Sequence, residues 1–242
     1  MVIDIAKWLL ARTPYRVTRS NLNRFQAIEH CLGQLRRLGF RPQLIIDGGA
    51  YLGSFALAAK RLFPGARIHM VEPQPACCAP LERLGVEHGF VFHPVALSAA
   101  AGTVRMVCGE TPGTGAHIAW DVNRSPASAD VEATTLDHLF AATVTADDRI
   151  LLKLDLQGHE LLALSGASAT LPLVEVVLIE VSFFQQTGEP TIPQIICFFD
   201  SKGFELFDIA ALSGRTRDDR LRQGDLVFVR QGTTLLADRS WA

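Results

Sequence analysis

An apolar run that ends in an acid and breaks into glycines constrains this chain more than any other feature: Leu44-Ile45-Ile46-Asp47-Gly48-Gly49-Ala50-Tyr51-Leu52-Gly53-Ser54-Phe55. A β-type run, a glycine turn and an alanine-rich helical pattern describe a strand that feeds a helix through a tight loop. The next apolar run, Ala66–Val71, closes on a second acid in Glu72-Pro73. A chain that repeats this unit builds a parallel sheet with helices on both faces.

The alternation continues along the chain. Strands are expected at Leu44–Asp47, Arg67–Glu72, Phe90–Val95, Arg149–Asp155 and Val176–Val181, with helices at Gly53–Leu62, Pro75–Glu87, Gly158–Leu164 and Ile192–Lys202. Unbroken runs such as Ile150–Leu154 and Val174–Val181 suit strands buried on both faces. Between the third and fourth strands lies an insert: a hairpin strand at Thr103–Cys108, a polar glycine-bearing tract through Asp130, then a short strand and a helix start at Thr134–Phe140. Two final strands, Glu205–Ile209 and Asp225–Arg230, are joined by a charged turn with no helix between them, which makes them antiparallel. Ahead of the sheet, Ile3–Ala11 and Leu22–Leu38 read as helices, the second with Phe25, Ile28, Leu32, Leu35 and Leu38 at helical spacing. Gly39 stops that helix and Pro42 forces extension. The expected architecture is a mostly parallel α/β sheet with one antiparallel strand, residues 1–40 forming an N-terminal helical cap and residues 41–242 the main domain.

Composition narrows the classes. The chain has 242 residues, 48% of them hydrophobic, a formal charge of -2 and a pI near 6.4, so no global field favours nucleic acid. Cys31, Cys77, Cys78, Cys108 and Cys197 show neither metal-ligand spacing nor a pairing pattern, which argues for a reducing, cytoplasmic setting and a structural vicinal pair at 77–78. No His/Asp cluster has ligand spacing, so no metal is expected to be required, while a chelating pair of acids stays open. Asp4 and Lys7 interrupt the first apolar run, which is wrong for a secretory signal, and no uncharged apolar segment spans a membrane.

The two acids define the ligand. Glycines allow close backbone approach, and the helix that follows presents unpaired N–H groups. Glu72, about 25 residues past Asp47, is placed to take ribose hydroxyls. A carboxylate at Asp47 would repel a pyrophosphate but attract an ammonium group. S-adenosylmethionine carries an amino-acid tail on a ribose and fits both acids. A nicotinamide-linked oxidoreductase would lack the acid ahead of the glycines, and a non-catalytic cofactor-binding module stays open because fold alone does not fix activity.

The motifs together resemble the FkbM-type family of S-adenosylmethionine-dependent methyltransferases, from about Arg24 to Arg230. The resemblance rests on Gly39-Phe40-Arg41-Pro42, the glycine loop, Glu72-Pro73-Gln74-Pro75, Val95-Ala96-Leu97-Ser98 with Gly102, Thr135-Leu136-Asp137, and Leu152-Lys153-Leu154-Asp155-Leu156-Gln157-Gly158-His159-Glu160. It implies the seven-stranded, Rossmann-like class I methyltransferase fold and O-methylation of a small molecule or glycan. The chain departs from the family at Tyr51, where Asn is frequent, and at Gln157, where Glu is common; Gly48 falls where Val or Gly varies.

Candidate site residues follow. Asp47 positions the cofactor's ammonium group directly or through water; Gly48, Gly49, Ala50, Tyr51, Gly53 and Ser54 form the loop around it. Glu72 and Pro73 take the ribose, Ala96 and Leu97 the adenine. Lys153 and Asp155 share one face of the fourth strand, and a lysine in so apolar a run needs a partner, expected to be Asp155 or Glu180. For removal of a hydroxyl proton the candidates are His159, Asp155 and Glu180. Asp137 is expected to hold a helix start. His117 and Trp120 lie in the insert, Gly109–Asp130, which would form a substrate lid. Arg215, Arg217, Arg220 and Arg222 in the last turn either grip an anion or are solvated beside Asp218 and Asp219. Trp8 and the N-terminal helices cap the cofactor pocket or support a homodimer.

Overall fold

The computed structural model describes residues 23–119, 128–145, 147–185 and 189–240. The expected helix at Ile3–Ala11, with Trp8, lies outside these residues, as does Trp120. The strands are β1 Leu44–Gly48, β2 Arg67–Val71, β3 Val91–His93, β4 Ala96–Leu97, β5 Gly102–Val107, β6 His117–Ile118, β7 Ser128–Thr134, β8 Ile150–Leu154, β9 Val174–Ser182, β10 Phe204–Arg215 and β11 Leu221–Arg230. The helices are α1 Arg24–Arg37, α2 Ser54–Leu62, α3 Pro75–His88, α4 Leu136–Phe140, α5 Glu160–Ser165 and α6 Ile192–Ser201.

Seven strands form one sheet in the order β10-β11-β9-β8-β1-β2-β3, and the insert folds into a separate four-stranded sheet, β4-β7-β5-β6. In the large sheet every pairing is parallel except the two made by β11, which runs antiparallel to both β9 and β10. Alternation along the central strands divides the core in two. Ile45, Leu151 and Val176 face α1, α2 and α3; Leu44, Ile46, Ile150 and Leu152 face α4, α5 and α6. The result is a seven-stranded, mostly parallel sheet with one antiparallel strand and helices on both faces.

Three expectations are corrected. The α1 stripe is Ile28, Cys31, Leu32 and Leu35, while Phe25 and Leu38 are 57% and 51% exposed. Asn23 caps this helix through a reciprocal box with Gln26, so it starts at Arg24 rather than at Leu22. The third strand is only Val91–His93, since Pro94 has no N–H to continue the ladder. The last two strands are far longer than expected. Register shifts between Leu206 and Asp208 and between Ile209 and Ala211 break the alternation of β10 and hide it from a period-two reading.

Candidate active site

The parallel strands deliver their functional residues to one edge, where open α/β sheets bind ligands. Beyond β1 the chain turns through Gly49, whose φ is +76°; a Cβ there would overlap the carbonyl oxygen of Asp155. Only glycine lets this loop lie against the end of β8. Tyr51 follows with φ 50°, and its N–H donates to Glu72 Oε2 at 2.8 Å. Glu72 Oε1 accepts from the Gln74 N–H at 3.0 Å. Burial pushes the Glu72 carboxyl upward, and these two backbone donors oppose the shift.

A cavity of about 320 Å³ opens above this edge. Its walls include Gly49, Ala50, Tyr51, Ser54, Glu72, Pro73, Ala96, Leu97 and Asp155, all expected from sequence. Asp47, Gly48 and Gly53 lie beneath the loop and do not line it. Asp47 is fully buried, with Lys153 Nζ 3.0 Å from its Oδ1. The same ammonium donates to the carbonyls of Gly48 and Gly49 at 3.2 and 2.6 Å. The partner of Lys153 is therefore Asp47, not Asp155 or Glu180. The register of β1 on β8 sets Asp47 directly opposite Lys153, and residues opposite one another project to the same face.

Asp155 and Glu180 belong to a second charge cluster. Arg24 reaches over from α1 and donates from Nη2 to Asp155 Oδ2 at 3.0 Å and to Asp225 Oδ1 at 2.6 Å, and from Nε to Asp225 Oδ2 at 2.7 Å; Nη2 also lies 2.8 Å from Glu180 Oε1. The pairing of β9 with β11 places Glu180 opposite Asp225, a like-charge contact that Arg24 offsets. Gln157 Nε2 bridges Asp155 Oδ1 and Glu180 Oε2 at 2.8 and 2.9 Å, and Gln223 donates to Glu180 Oε1. Burial, helped by the neighbouring charge of Asp155, raises the Glu180 carboxyl to about 8. Burial would raise Asp155 too, but Lys153 and Arg24 hold it below its ordinary value.

His159 is not a wall of the cavity. Its Nε2 lies 3.0 Å from Ser98 Oγ in a buried position, and burial lowers its pKa to about 4. Asp137 does not cap its own helix; Thr135 does, accepting from the His138 N–H. Asp137 instead accepts from Ser168 Oγ and the N–H groups of Ala169 and Thr170, fastening the loop after α5. Cys77 is buried in α3, its thiol pushed up to about 12 by burial.

Described residues of the insert reach the cavity. Gly113 donates to Gln74 Oε1 at 3.1 Å, Tyr51 Oη lies 3.5 Å from the Pro112 carbonyl, and Gly113, Thr114, Ala116, His117 and Ile118 complete the wall. A second cavity of about 240 Å³ adjoins the first; Gln157 and His117 line both, and Glu180 and Arg222 line only the second. Arg215 and Arg220 remain on the exposed turn beside Asp219 and Asp218. Arg24, Phe25, Gln74 and Asp225 line the first cavity without having been singled out from sequence. Their places depend on long-range packing and register. Among the described residues, no group of three or more His, Cys, Asp or Glu is placed to hold a metal, and no helix is long and apolar enough to cross a membrane.

Such a sheet, with an acid-bound glycine loop and a cavity at its carboxyl edge, is the fold of the class I methyltransferases. The chain belongs to the FkbM methyltransferase domain family, which it matches over residues 47–206. It is 29% identical over 212 residues to the methyltransferase sdnD of Sordaria araneosa, covering 74% of this chain and 79% of that protein. The crystal structure of the FkbM methyltransferase from Methylobacillus flagellatus superposes with a TM-score of 0.50 at 14% identity, over 76% of this chain. The chain spans 43% of the length of that protein.

Proposed function

We propose that this methyltransferase uses S-adenosylmethionine and methylates a hydroxyl on a small-molecule, sugar or natural-product acceptor. The observation that carries the reading is Glu72. Its carboxylate ends β2, binds the Tyr51 N–H of the glycine loop, and lines the cavity, so that ribose-type acid and loop form one wall.

The donor set fits the cofactor. Gly49 keeps the backbone open where a side chain cannot go. Four buried or half-buried carboxylates, Asp47, Asp155, Glu180 and Asp225, face two cations, Lys153 and Arg24, so the edge is short of positive charge. When bound, S-adenosylmethionine supplies an electrophilic methyl on a sulfonium, together with an ammonium group. Glu72 and Pro73 hold the ribose, Ala96 and Leu97 pack on adenine, and Gly49 to Ser54 hold the amino-acid end. Asp47 acts through Lys153, whose ammonium fixes the loop carbonyls of Gly48 and Gly49. Of the three candidate bases, Glu180 lines the second cavity and holds the acceptor's proton at its carboxylate. Within the expected N-terminal cap of residues 1–40, α1 covers the edge of the domain of residues 41–242, and the five free cysteines suit a cytoplasmic location.

Calorimetric titration tests the cofactor. S-adenosylmethionine and S-adenosylhomocysteine are expected to bind the wild type at micromolar concentration and to lose at least tenfold in affinity with Glu72→Ala, while NADH does not bind. Binding of NADH in their place, or no adenosyl binding, sinks the reading.

A further inference from the structure

Gln157 stands where the two cavities meet and lines both. Its backbone is unusual before its side chain is considered. With φ at +52° it occupies the left-handed region, which Gly and Asn enter far more readily than a long side chain does. The loop holds it there from both sides: Glu160 Oε1 accepts the N–H groups of Leu156 and Gly158 at 2.8 and 3.2 Å. Backbone strain that the surroundings keep in place gathers at functional sites.

The side chain shows what this conformation achieves. Gln157 Nε2 donates to Asp155 Oδ1 at 2.8 Å and to Glu180 Oε2 at 2.9 Å, which uses both amide hydrogens. The two carboxylates come from different elements, Asp155 from the end of β8 and Glu180 from β9. An ionised carboxylate accepts and does not donate, so only the nitrogen of the amide can face this pair. A glutamate at 157 would bring a third negative charge and no hydrogen. The two oxygens of Glu180 are held differently. Oε1 is taken from the other side by Arg24 Nη2 at 2.8 Å and by Gln223, whereas Oε2 receives Gln157. Oε2 keeps a second lone pair, beside a residue that faces both cavities.

Resting on the reading of Glu180 as the base, we infer that Gln157 is a positioning residue, whose amide ties Glu180 Oε2 to the end of β8 and so aligns the proton-accepting oxygen with the cofactor cavity. A base must stand within hydrogen-bond reach of the proton it removes. Without the tether the carboxylate can turn about its last bond, although Arg24 still holds its other oxygen.

The test compares the full-length wild type with Gln157→Asn and Gln157→Glu, each loaded with S-adenosylhomocysteine and isotope-labelled at the glutamate carboxyl carbons for NMR. The Glu180 signal is the one lost in Glu180→Gln. Asn suits the left-handed backbone but is a methylene shorter than the bridge requires, so Gln157→Asn is expected to melt within a few degrees of the wild type. Loss of a hydrogen bond to an ionised carboxylate raises its pKa, so the Glu180 titration is expected to move up by about half a pH unit or more in Gln157→Asn, and further in Gln157→Glu. The other charges about Glu180 are the same in every variant: Arg24 from α1, Asp155 and Glu160 beyond β8, and Asp225 on β11. Glu189, Arg222 and His117 in the cavity wall are likewise unchanged. In crystals of Gln157→Asn, Glu180 Oε2 is expected to leave its wild-type position while Oε1 stays on Arg24. An unmoved Oε2, or a Glu180 titration that Gln157→Asn does not shift, overturns the inference and leaves Gln157 a loop residue. A full methyl-transfer rate in Glu180→Gln overturns the reading of the base instead, and the titration still measures the tether. Failure of S-adenosylhomocysteine to bind the wild type overturns the cofactor reading, and the same titration of the ligand-free protein then decides the tether.

Discussion

Lys153 is tolerated inside an apolar strand because Asp47 stands opposite it and two loop carbonyls take its remaining protons. Removing one partner of a buried pair leaves an uncompensated charge at a cost of about 3–5 kcal/mol, whereas replacing both by apolar groups is often nearly neutral. Asp47→Asn is therefore expected to lower unfolding free energy by about 3 kcal/mol in urea titration, and Asp47→Leu with Lys153→Met to recover most of that loss while still weakening cofactor binding. Recovery of binding along with stability would show that the pair serves folding alone. Glu180 makes a kinetic prediction. As a base it must be ionised, so kcat is expected to rise with pH through about 8, and Glu180→Gln to lower kcat roughly 10²–10⁴-fold. A Glu180→Gln enzyme that keeps the wild-type rate and pH profile would exclude this role.

Among the elements, α1 contributes most beyond its own packing. Arg24 in its first turn binds three carboxylates from β9, β11 and the end of β8. With Arg24→Gln those carboxylates repel one another: stability is expected to fall by about 3 kcal/mol, and the rise in kcat to move to higher pH, because a lost positive charge raises a carboxyl pKa. An unchanged pH profile would confine Arg24 to a structural role. Arg24 also shows where sequence reasoning stops. The glycine loop, Glu72 and Asp155 were legible because each lies in a short motif whose chemistry is local. Arg24 meets Asp225 across 201 residues, and Asp225 meets Glu180 only through strand register. The Lys153 partner was misassigned for the same reason: alternation along one strand favours Asp155, while pairing between strands delivers Asp47. His159 was placed correctly at the start of α5, but the direction of its ring depends on Ser98, which comes from the far side of the insert. The order of strands and helices was legible throughout the sheet, but not the extent of β3, which Pro94 cuts short, nor of β10 and β11, where bulges in β10 erase the period.

At the scale of the whole molecule, two groups of buried side chains pull stability in opposite directions with pH. His69 and His159 both stand near 4, lowered chiefly by burial, so the unfolded chain binds more protons below 6.5 and stability is lost as pH falls from there toward 4. Glu160 and Glu180 stand near 7 and 8, raised by burial, so the folded chain binds more protons above the ordinary carboxyl value and stability falls as pH rises toward 8. The histidines are already neutral above about 6.5, which leaves the carboxyls to govern the alkaline side. The melting temperature of the ligand-free protein is expected to peak near pH 6 and to decline toward pH 8, and the decline to flatten in Glu160→Gln with Glu180→Gln. A melting temperature that climbs from pH 6 to pH 8 would contradict this balance.

The salt bridge between Arg24 and Asp225 also orders events during biosynthesis. Arg24 leaves the ribosome 201 residues before the carboxylate it binds most closely. The glycine loop and the ends of β2 and β8 can all be in the open while β11 is still inside the exit tunnel. Until that strand emerges, Arg24 lacks its bidentate partner and Glu180 lacks its neighbour on the sheet. The charge cluster is therefore complete only once β11 has been inserted between β9 and β10.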